Sequence, residues 1–349
     1  MDRREEIIRL QMEVIQQMTR SNLDRIADDL WGIPTLDGDR LPLADEVTSV
    51  SSEDEAQQKE ALDNAEYEDT KENLEALRKE LNEYIGLSAV KSEVESLINL
   101  VTVQSLRKQN DLPVEELSLH MVFSGNPGTG KTMIARLMAR IFKSLGILSK
   151  GQLVEVDRGG LVAGYVGQTA IKTGEMIQKA MGGVLFIDEA YALTSRGGND
   201  YGQEAVDTLL KAMEDHREDL IVIVAGYTEL MDDFVRCNPG LESRFNRFLQ
   251  FEDYTVQEML DIFKMRCQKS GYRLMKDAES ILQSMLRLYS LDMKAFGNAR
   301  GVRNLFERAI SAQANRLAKQ TDVTRDELMC LNHDDIRRAG NECCSESAL

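Results

Sequence analysis

Cysteine is scarce in this chain: five in 349 residues, at positions 237, 267, 330, 343 and 344, with no paired spacing. A small disulfide-stapled scaffold is thereby excluded. The three histidines stand far apart, and no His/Cys set has the spacing of zinc ligands. No apolar run approaches the roughly 18 residues that a membrane span requires. The opening string MDRREEIIRLQMEVIQQM is broken by Glu5, Glu6 and Glu13, so it does not read as a secretory core. A reducing cytoplasm is the expected compartment, with no membrane partner. Basic runs, zinc knuckles and aromatic RNA-binding strings are missing too, which argues against a nucleic-acid partner.

Positive charge is outnumbered, with 42 Lys plus Arg against 59 Asp plus Glu and a net charge of −17. The deficit is local. Residues 45–80 carry 13 acidic and 4 basic residues, net −9, and residues 1–44 carry net −3. The other 269 residues are only −5, so the bulk value says little about what the rest of the chain can bind.

What is present suggests about two domains with ample apolar material, 42% of residues. Residues 1–44 place Ile7, Gln11, Val14, Ile15, Met18, Leu23, Ile26 and Leu30 at helical spacing and then break at Trp31-Gly32-Ile33-Pro34, an amphipathic arm. Residues 45–80 read as a solvated acidic linker leading into a helix at Leu74, Leu77 and Leu81. From Leu117 short apolar runs alternate with amphipathic helices. Strands are expected at Leu117–Ser124, Gly151–Val156, Gly183–Ile187, Leu220–Val224 and Phe248–Phe251. The third and fourth are nearly continuous apolar runs, as strands covered on both faces should be. An α/β unit with a parallel sheet flanked by helices follows, over residues 81–253. After Phe251 the strand pattern stops; Thr255-Val-Gln-Glu258 reads as a capping box, opening an all-α unit over 254–338. Residues 339–349, with adjacent Cys343 and Cys344, are expected to be a frayed tail bearing free thiols.

The strongest chemical signal is Gly125-Asn126-Pro127-Gly128-Thr129-Gly130-Lys131-Thr132, which directly follows a strand and opens a helix. Small residues let successive backbone N–H groups curl around phosphates, and the helix N-terminus adds its positive end. Lys131 can reach β- and γ-phosphates, and the Thr132 hydroxyl can bind Mg²⁺. The strand Val184–Ile187 then ends in Asp188-Glu189, 57 residues beyond Lys131. Asp188 suits the Mg²⁺ shell and Glu189 the general base that polarises water. Together these predict an ATPase with ATP and Mg²⁺ as ligands. Three further clusters accompany them: Asn238–Arg247 with Arg244 and Arg247, Gly297–Asn304 with Arg300 and Arg303, and the glycine-flanked Tyr165-Val166. Alone, each reads as a surface turn, a helix start or a buried loop anchor.

In this order the five elements resemble the AAA+ ATPases, and over roughly residues 82–335 the CbxX/CfqX family, which includes red-type Rubisco activase and stage V sporulation protein K. The telling strings are HMVFSGNPGTGKT, GGVLFIDEAY, EAVDTLLKAMEDHREDLIVIVAGY, NPGLESRFNR and GNARGVRN. The resemblance implies a P-loop α/β subdomain, a small helical lid, ATP between them, and a homo-oligomeric ring, usually a hexamer, that remodels a protein client. It implies that Arg244 acts in trans as an arginine finger, with Arg247 as fallback. It makes Arg300 the lid's sensor arginine, with Arg303 as fallback, and Tyr165 and Val166 a client-gripping pore loop. Gly86, in the turn Tyr84–Leu87, matches the segment beside the adenine. Two departures stand out: Gly164 precedes the pore tyrosine where many relatives carry Glu, and the strand ending Ala225–Thr228 lacks the usual γ-phosphate-sensing Asn, leaving Thr228 as substitute. An ATP-switched scaffold or a secretion or sporulation factor is the alternative reading, and a DNA motor or loader a third. The client's identity is not written in the sequence.

Overall fold

The computed structural model describes residues 74–346 apart from 116, 166 and 195–200, and the side chains of 342–346 are not described. The expected arm (1–44) and most of the expected linker therefore lie outside the described residues, as do Val166 and the thiols of Cys343 and Cys344.

Helix α1 (residues 74–83) and α2 (Ser88–Gln109) precede strand β1 (Met121–Gly125). Then come α3 (Lys131–Ser144), β2 (Leu153–Val156), α4 (Arg158–Leu161), α5 (Gln168–Ala180), β3 (Gly183–Ile187) and a 3₁₀ turn (Ala190–Thr194). The unit ends with α6 (Gly202–Asp215), β4 (Leu220–Gly226), α7 (Thr228–Arg236), α8 (Pro239–Arg244) and β5 (Arg247–Phe251). The strands form one parallel sheet in the order β2-β3-β4-β1-β5.

Burial explains that order. Every residue of β1, β3 and β4 is buried, whereas β2 and β5 at the edges alternate or are half-exposed. The apolar runs cannot be satisfied on one face only, so they occupy the middle with helices on both sides. Alternate residues feed two cores. Met121, Phe123, Ile221, Ile223 and Ala225 pack with Leu77, Leu97 and Phe142 on one face. Val122, Leu220, Val222 and Val224 pack with Leu209, Phe234 and Phe245 on the other. Between the sheet and α6 sits His120, 4% exposed. Its Nδ1 accepts from the Val222 N–H at 3.0 Å and its Nε2 faces the Met213 carbonyl at 3.3 Å. Burial pushes its pKa down to about 4.

In the second unit, α9 (Val256–Lys269) starts at the expected capping box, with Thr255 and Glu258 satisfying each other's backbone N–H groups. Helices α10 (Lys276–Tyr289), α11 (Met293–Phe296), α12 (Asn298–Leu317), α13 (Arg325–Met329) and α14 (His333–Glu346) follow. They enclose a separate core of Phe263, Leu282, Leu305, Phe306, Leu331 and Ile336. Two expectations need correction. The unit is not purely helical: β6 (Arg273–Leu274) pairs in parallel with β7 (Cys330–Leu331), closing the ends of α9 and α13. Nor does the chain fray after Arg338, because Ile336 and Ala339 are fully buried and anchor α14, which runs on to Glu346. No helix among the described residues is long and apolar enough to cross a membrane.

Candidate active site

Parallel pairing puts the carboxyl ends of β1, β3 and β4 at one edge of the sheet: Ser124 pairs with Gly226, and Ile187 with Val224. Gly125, Asp188 and Gly226 thus emerge side by side, at the edge where open α/β sheets bind ligands. There they wall a cavity of about 410 Å³ together with Pro127, Gly128, Gly130, Lys131, Thr132, Met133, Glu189 and Tyr227. The opposite wall is Arg266 of α9 and Ala299, Arg300 and Arg303 of α12.

The loop between β1 and α3 is held from within. Thr129, fully buried, donates its hydroxyl to the Asn126 carbonyl at 2.8 Å. Lys131 donates from Nζ to the carbonyls of Gly125 and Asn126, both at 2.8 Å. These are weak partners for a buried ammonium. Burial lowers the Lys131 pKa, Asp188 and Asp253 oppose that shift, and Arg300 adds to it. An anion entering the cavity would replace two neutral acceptors with a charge-assisted one. Gly128 is required where it stands: at φ 73, a side chain there would collide with the Gly297 carbonyl.

The acidic side is set by the end of β3. Asp188 is half-buried and accepts the Glu189 N–H at 3.0 Å. Glu189 is exposed and has φ 49, a left-handed conformation that costs a non-glycine residue about 1–2 kcal/mol. Strain of this kind persists where the surroundings over-determine it, here between the buried Ile187 and Ala190. It turns the chain out of the sheet and leaves both carboxylates on the cavity.

The helical unit grips the loop directly. Asn298, fully buried with φ 53, accepts the Tyr254 N–H at 3.0 Å and donates to the Pro127 carbonyl at 3.2 Å and to Asp253 at 2.8 Å. Asp253 also accepts from Asn126, at 2.9 and 3.0 Å, and the Ala299 N–H donates to the Gly128 carbonyl at 3.1 Å. The Tyr254 hydroxyl reaches the Thr129 carbonyl at 3.3 Å. α12 therefore begins on the phosphate-type loop itself, which brings Arg300 to the cavity.

Of the residues singled out by sequence, Gly125, Pro127, Gly128, Gly130, Lys131, Thr132, Asp188, Glu189, Arg300 and Arg303 share this cavity. Asn126 and Thr129 brace it from behind. Thr228 is not on its wall. β4 continues through Gly226, so Tyr227 takes the wall position and Thr228 becomes the first residue of α7. Gly86 also lies off the wall, against Glu258 and Tyr254. Arg244 ends α8 away from the cavity, with Nη2 3.2 Å from Glu214 Oε2 and Nη1 donating to the Gly240 carbonyl at 3.4 Å. Arg247 donates to the Ser118 carbonyl at 3.4 Å and lines a different cavity of about 320 Å³. Tyr165 is 73% exposed.

Sequence reading missed Asp253, Asn298, Tyr227 and Arg266. None sits in a short string with a phosphate-binding rationale. Asn298 alone carried a hint, lying inside the Gly297–Asn304 cluster.

Comparison with known proteins agrees with this arrangement. The family model described as "ATPase family associated with various cellular activities (AAA)" matches residues 121–253, and the AAA lid domain matches 255–346. The chain is 40% identical over 265 residues to stage V sporulation protein K of Bacillus subtilis (strain 168), covering 75% of this chain and 82% of that protein. It is 43% identical over 278 residues to Protein CbbX of Cereibacter sphaeroides, covering 78% and 89%. To the chloroplastic ribulose bisphosphate carboxylase/oxygenase activase of Cyanidioschyzon merolae (strain NIES-3377 / 10D) it is 42% identical over 260 residues, covering 74% and 88%. With a five-stranded parallel sheet, a phosphate-type loop and a lid that grips it, the chain belongs to the AAA+ ATPases of the CbxX/CfqX family, and it hydrolyses ATP.

Proposed function

We propose that the chain is an ATP-driven protein-remodelling machine, working as a homo-oligomeric ring, a hexamer, that draws on a client polypeptide. The observation that carries this reading is the division of charged groups between the chain's own cavity and its surface. Lys131, Asp188, Glu189 and Arg300 converge on one cavity, while Arg244 sits away from it, half-exposed and, among the described residues, held by Glu214 and a backbone carbonyl. A guanidinium so placed suits the γ-phosphate of a neighbouring subunit, where a finger of this kind contributes about 10³–10⁵ in rate.

The roles follow the geometry. The glycine-rich loop orients the phosphates with its N–H groups, and Lys131 leaves the Gly125 and Asn126 carbonyls for the β/γ oxygens. Glu189, on its left-handed turn, polarises the attacking water. Arg300 neutralises charge from the lid side. Asp188 and Thr132 line the same cavity and offer one carboxylate and one hydroxyl, a donor set that suits Mg²⁺, which keeps several waters and relies on substrate phosphates. Among the described residues no cluster of three His, Cys, Asp or Glu offers a protein cage for a metal. When bound, Mg²⁺ offsets the charge of the β- and γ-phosphates. Tyr165, exposed in its glycine-flanked loop, supplies the apolar grip on the client.

Capture experiments test the reading. The Glu189→Gln chain, loaded with ATP, should retain a bound client that is lost when Tyr165→Ala is added. Retention of the same client by the double variant would remove Tyr165 from client engagement.

A further inference from the structure

The lid presents more positive charge to the cavity than the resemblance assigns to it. Arg266, on α9, is half-buried on the cavity wall beside Arg300 and Arg303. Among the described residues its guanidinium has no hydrogen-bond or ion-pair partner. Arg303 is served, its Nε donating to Glu307 at 2.8 Å one turn along α12. That same carboxylate opposes the shift at Arg266, but burial, with the Arg303 guanidinium, holds the Arg266 pKa below its usual range. Two guanidiniums and one carboxylate leave an excess of one cation here, before Arg300 and Lys131 are added.

An unsatisfied guanidinium taken partly out of water beside a like charge is unfavourable. It persists in packed structures where a ligand makes up the missing interactions, and a planar fork of donors suits phosphate oxygens. Among the described residues no carboxylate other than Asp188 and Glu189 lines the cavity, and both of those lie on the sheet-edge wall. The complementary charge must therefore enter with the ligand.

We propose that Arg266 binds a phosphate oxygen of the nucleoside triphosphate, acting from α9 as a second lid cation alongside Arg300. This rests on the assignment of the cavity as the ATP site. Arg266 also differs from Arg300 in origin. Arg300 is placed by the Asn298 contact with the loop, whereas Arg266 belongs to the first lid helix, which is anchored in the lid core by Phe263 and Cys267. Bound phosphate would thus tie the two lid helices to the loop at two points.

The test is equilibrium binding of fluorescent ATP and ADP to the full chain carrying Arg266→Gln or Arg266→Lys, with the thermal midpoint of the nucleotide-free protein measured in parallel. Arg266→Gln should weaken ATP about tenfold and ADP by less, and Arg266→Lys should recover part of the loss. The nucleotide-free protein should hold or gain stability, since repulsion from Arg303 is relieved. Unchanged ATP affinity with a lowered midpoint would overturn the proposal and make Arg266 a packing residue. Unchanged affinity with weakened self-association would also overturn it, assigning the guanidinium to a neighbouring subunit's carboxylate. A Lys131→Ala control separates the two levels of inference. If it abolishes ATP binding while Arg266→Gln changes nothing, only the proposal for Arg266 fails; if Lys131→Ala also binds normally, the ATP-site assignment fails.

Discussion

The two walls of the cavity are built by different rules. The sheet-edge wall consists of strand ends and one short loop, so its groups sit at positions fixed by backbone: Gly125 after β1, Asp188 after β3, Gly226 at the end of β4. The lid wall consists of long cationic side chains on two helices that pack around their own core. One wall holds carboxylates and N–H groups in place, and the other supplies positive charge on long side chains. Among the described residues, short hydrogen bonds between the walls run through Asn298, Asp253, Tyr254 and Ala299.

Removing the fixed wall should have the largest effect. Lys131→Ala is expected to reduce ATP turnover by about 10³-fold or more, since it deletes both the phosphate cation and the anchor of the loop carbonyls; steady-state phosphate release reads this. Glu189→Gln should lower turnover about 10²- to 10³-fold while ATP still binds, so that the ratio of turnover to affinity separates chemistry from binding. Equal losses in both would place Glu189 in binding instead.

The joint between the walls comes next. Asn298→Ala removes three hydrogen bonds from a fully buried side chain and leaves Asp253 with Asn126 as its remaining side-chain donor. A stability loss of about 1–3 kcal/mol by denaturant unfolding is expected. Because the lid would lose its hold on the loop, the Arg300 contribution to ATP affinity should shrink with it. Additive losses in the Asn298→Ala, Arg300→Ala pair would mean that the joint does not position the arginine.

An effect of similar size to that of the joint, but confined to low pH, concerns the sheet alone. His120 is neutral when folded, with a pKa near 4 against about 6.5 when unfolded, so the unfolded chain binds more protons between those values. Stability should be constant above about pH 6.5 and fall by about 2–3 kcal/mol as the pH drops towards 4. His120→Asn should flatten that slope in the sheet unit without altering phosphate affinity at pH 7.5.

How much of this was legible in the sequence follows the same division. The strands at Gly183–Ile187 and Leu220–Val224 announced themselves because both faces are covered, which writes burial as a continuous apolar run. The loop and the Asp188-Glu189 pair were legible because consecutive residues do the chemistry. The lid wall was only partly legible. Arg300 stands in a recognisable cluster, but Arg266 lies 34 residues earlier on a helix whose spacing records the packing of its own Phe263 into the lid core and nothing of the cavity. The two-residue strands β6 and β7 were illegible for a related reason: a pair so short leaves no alternating pattern. Thr228 was misplaced because β4 runs two residues beyond the expected Val224 and α7 opens at Thr228, leaving Tyr227 on the wall, a shift that composition does not encode.

The central claim, that triphosphate is held between a fixed loop and cationic lid helices, is tested most directly by the ATP and ADP dissociation constants of the Arg300→Ala chain. The account predicts ATP weakened by tenfold or more, with ADP changed several-fold less. Equal affinities for ATP in the variant and the parent chain would contradict it.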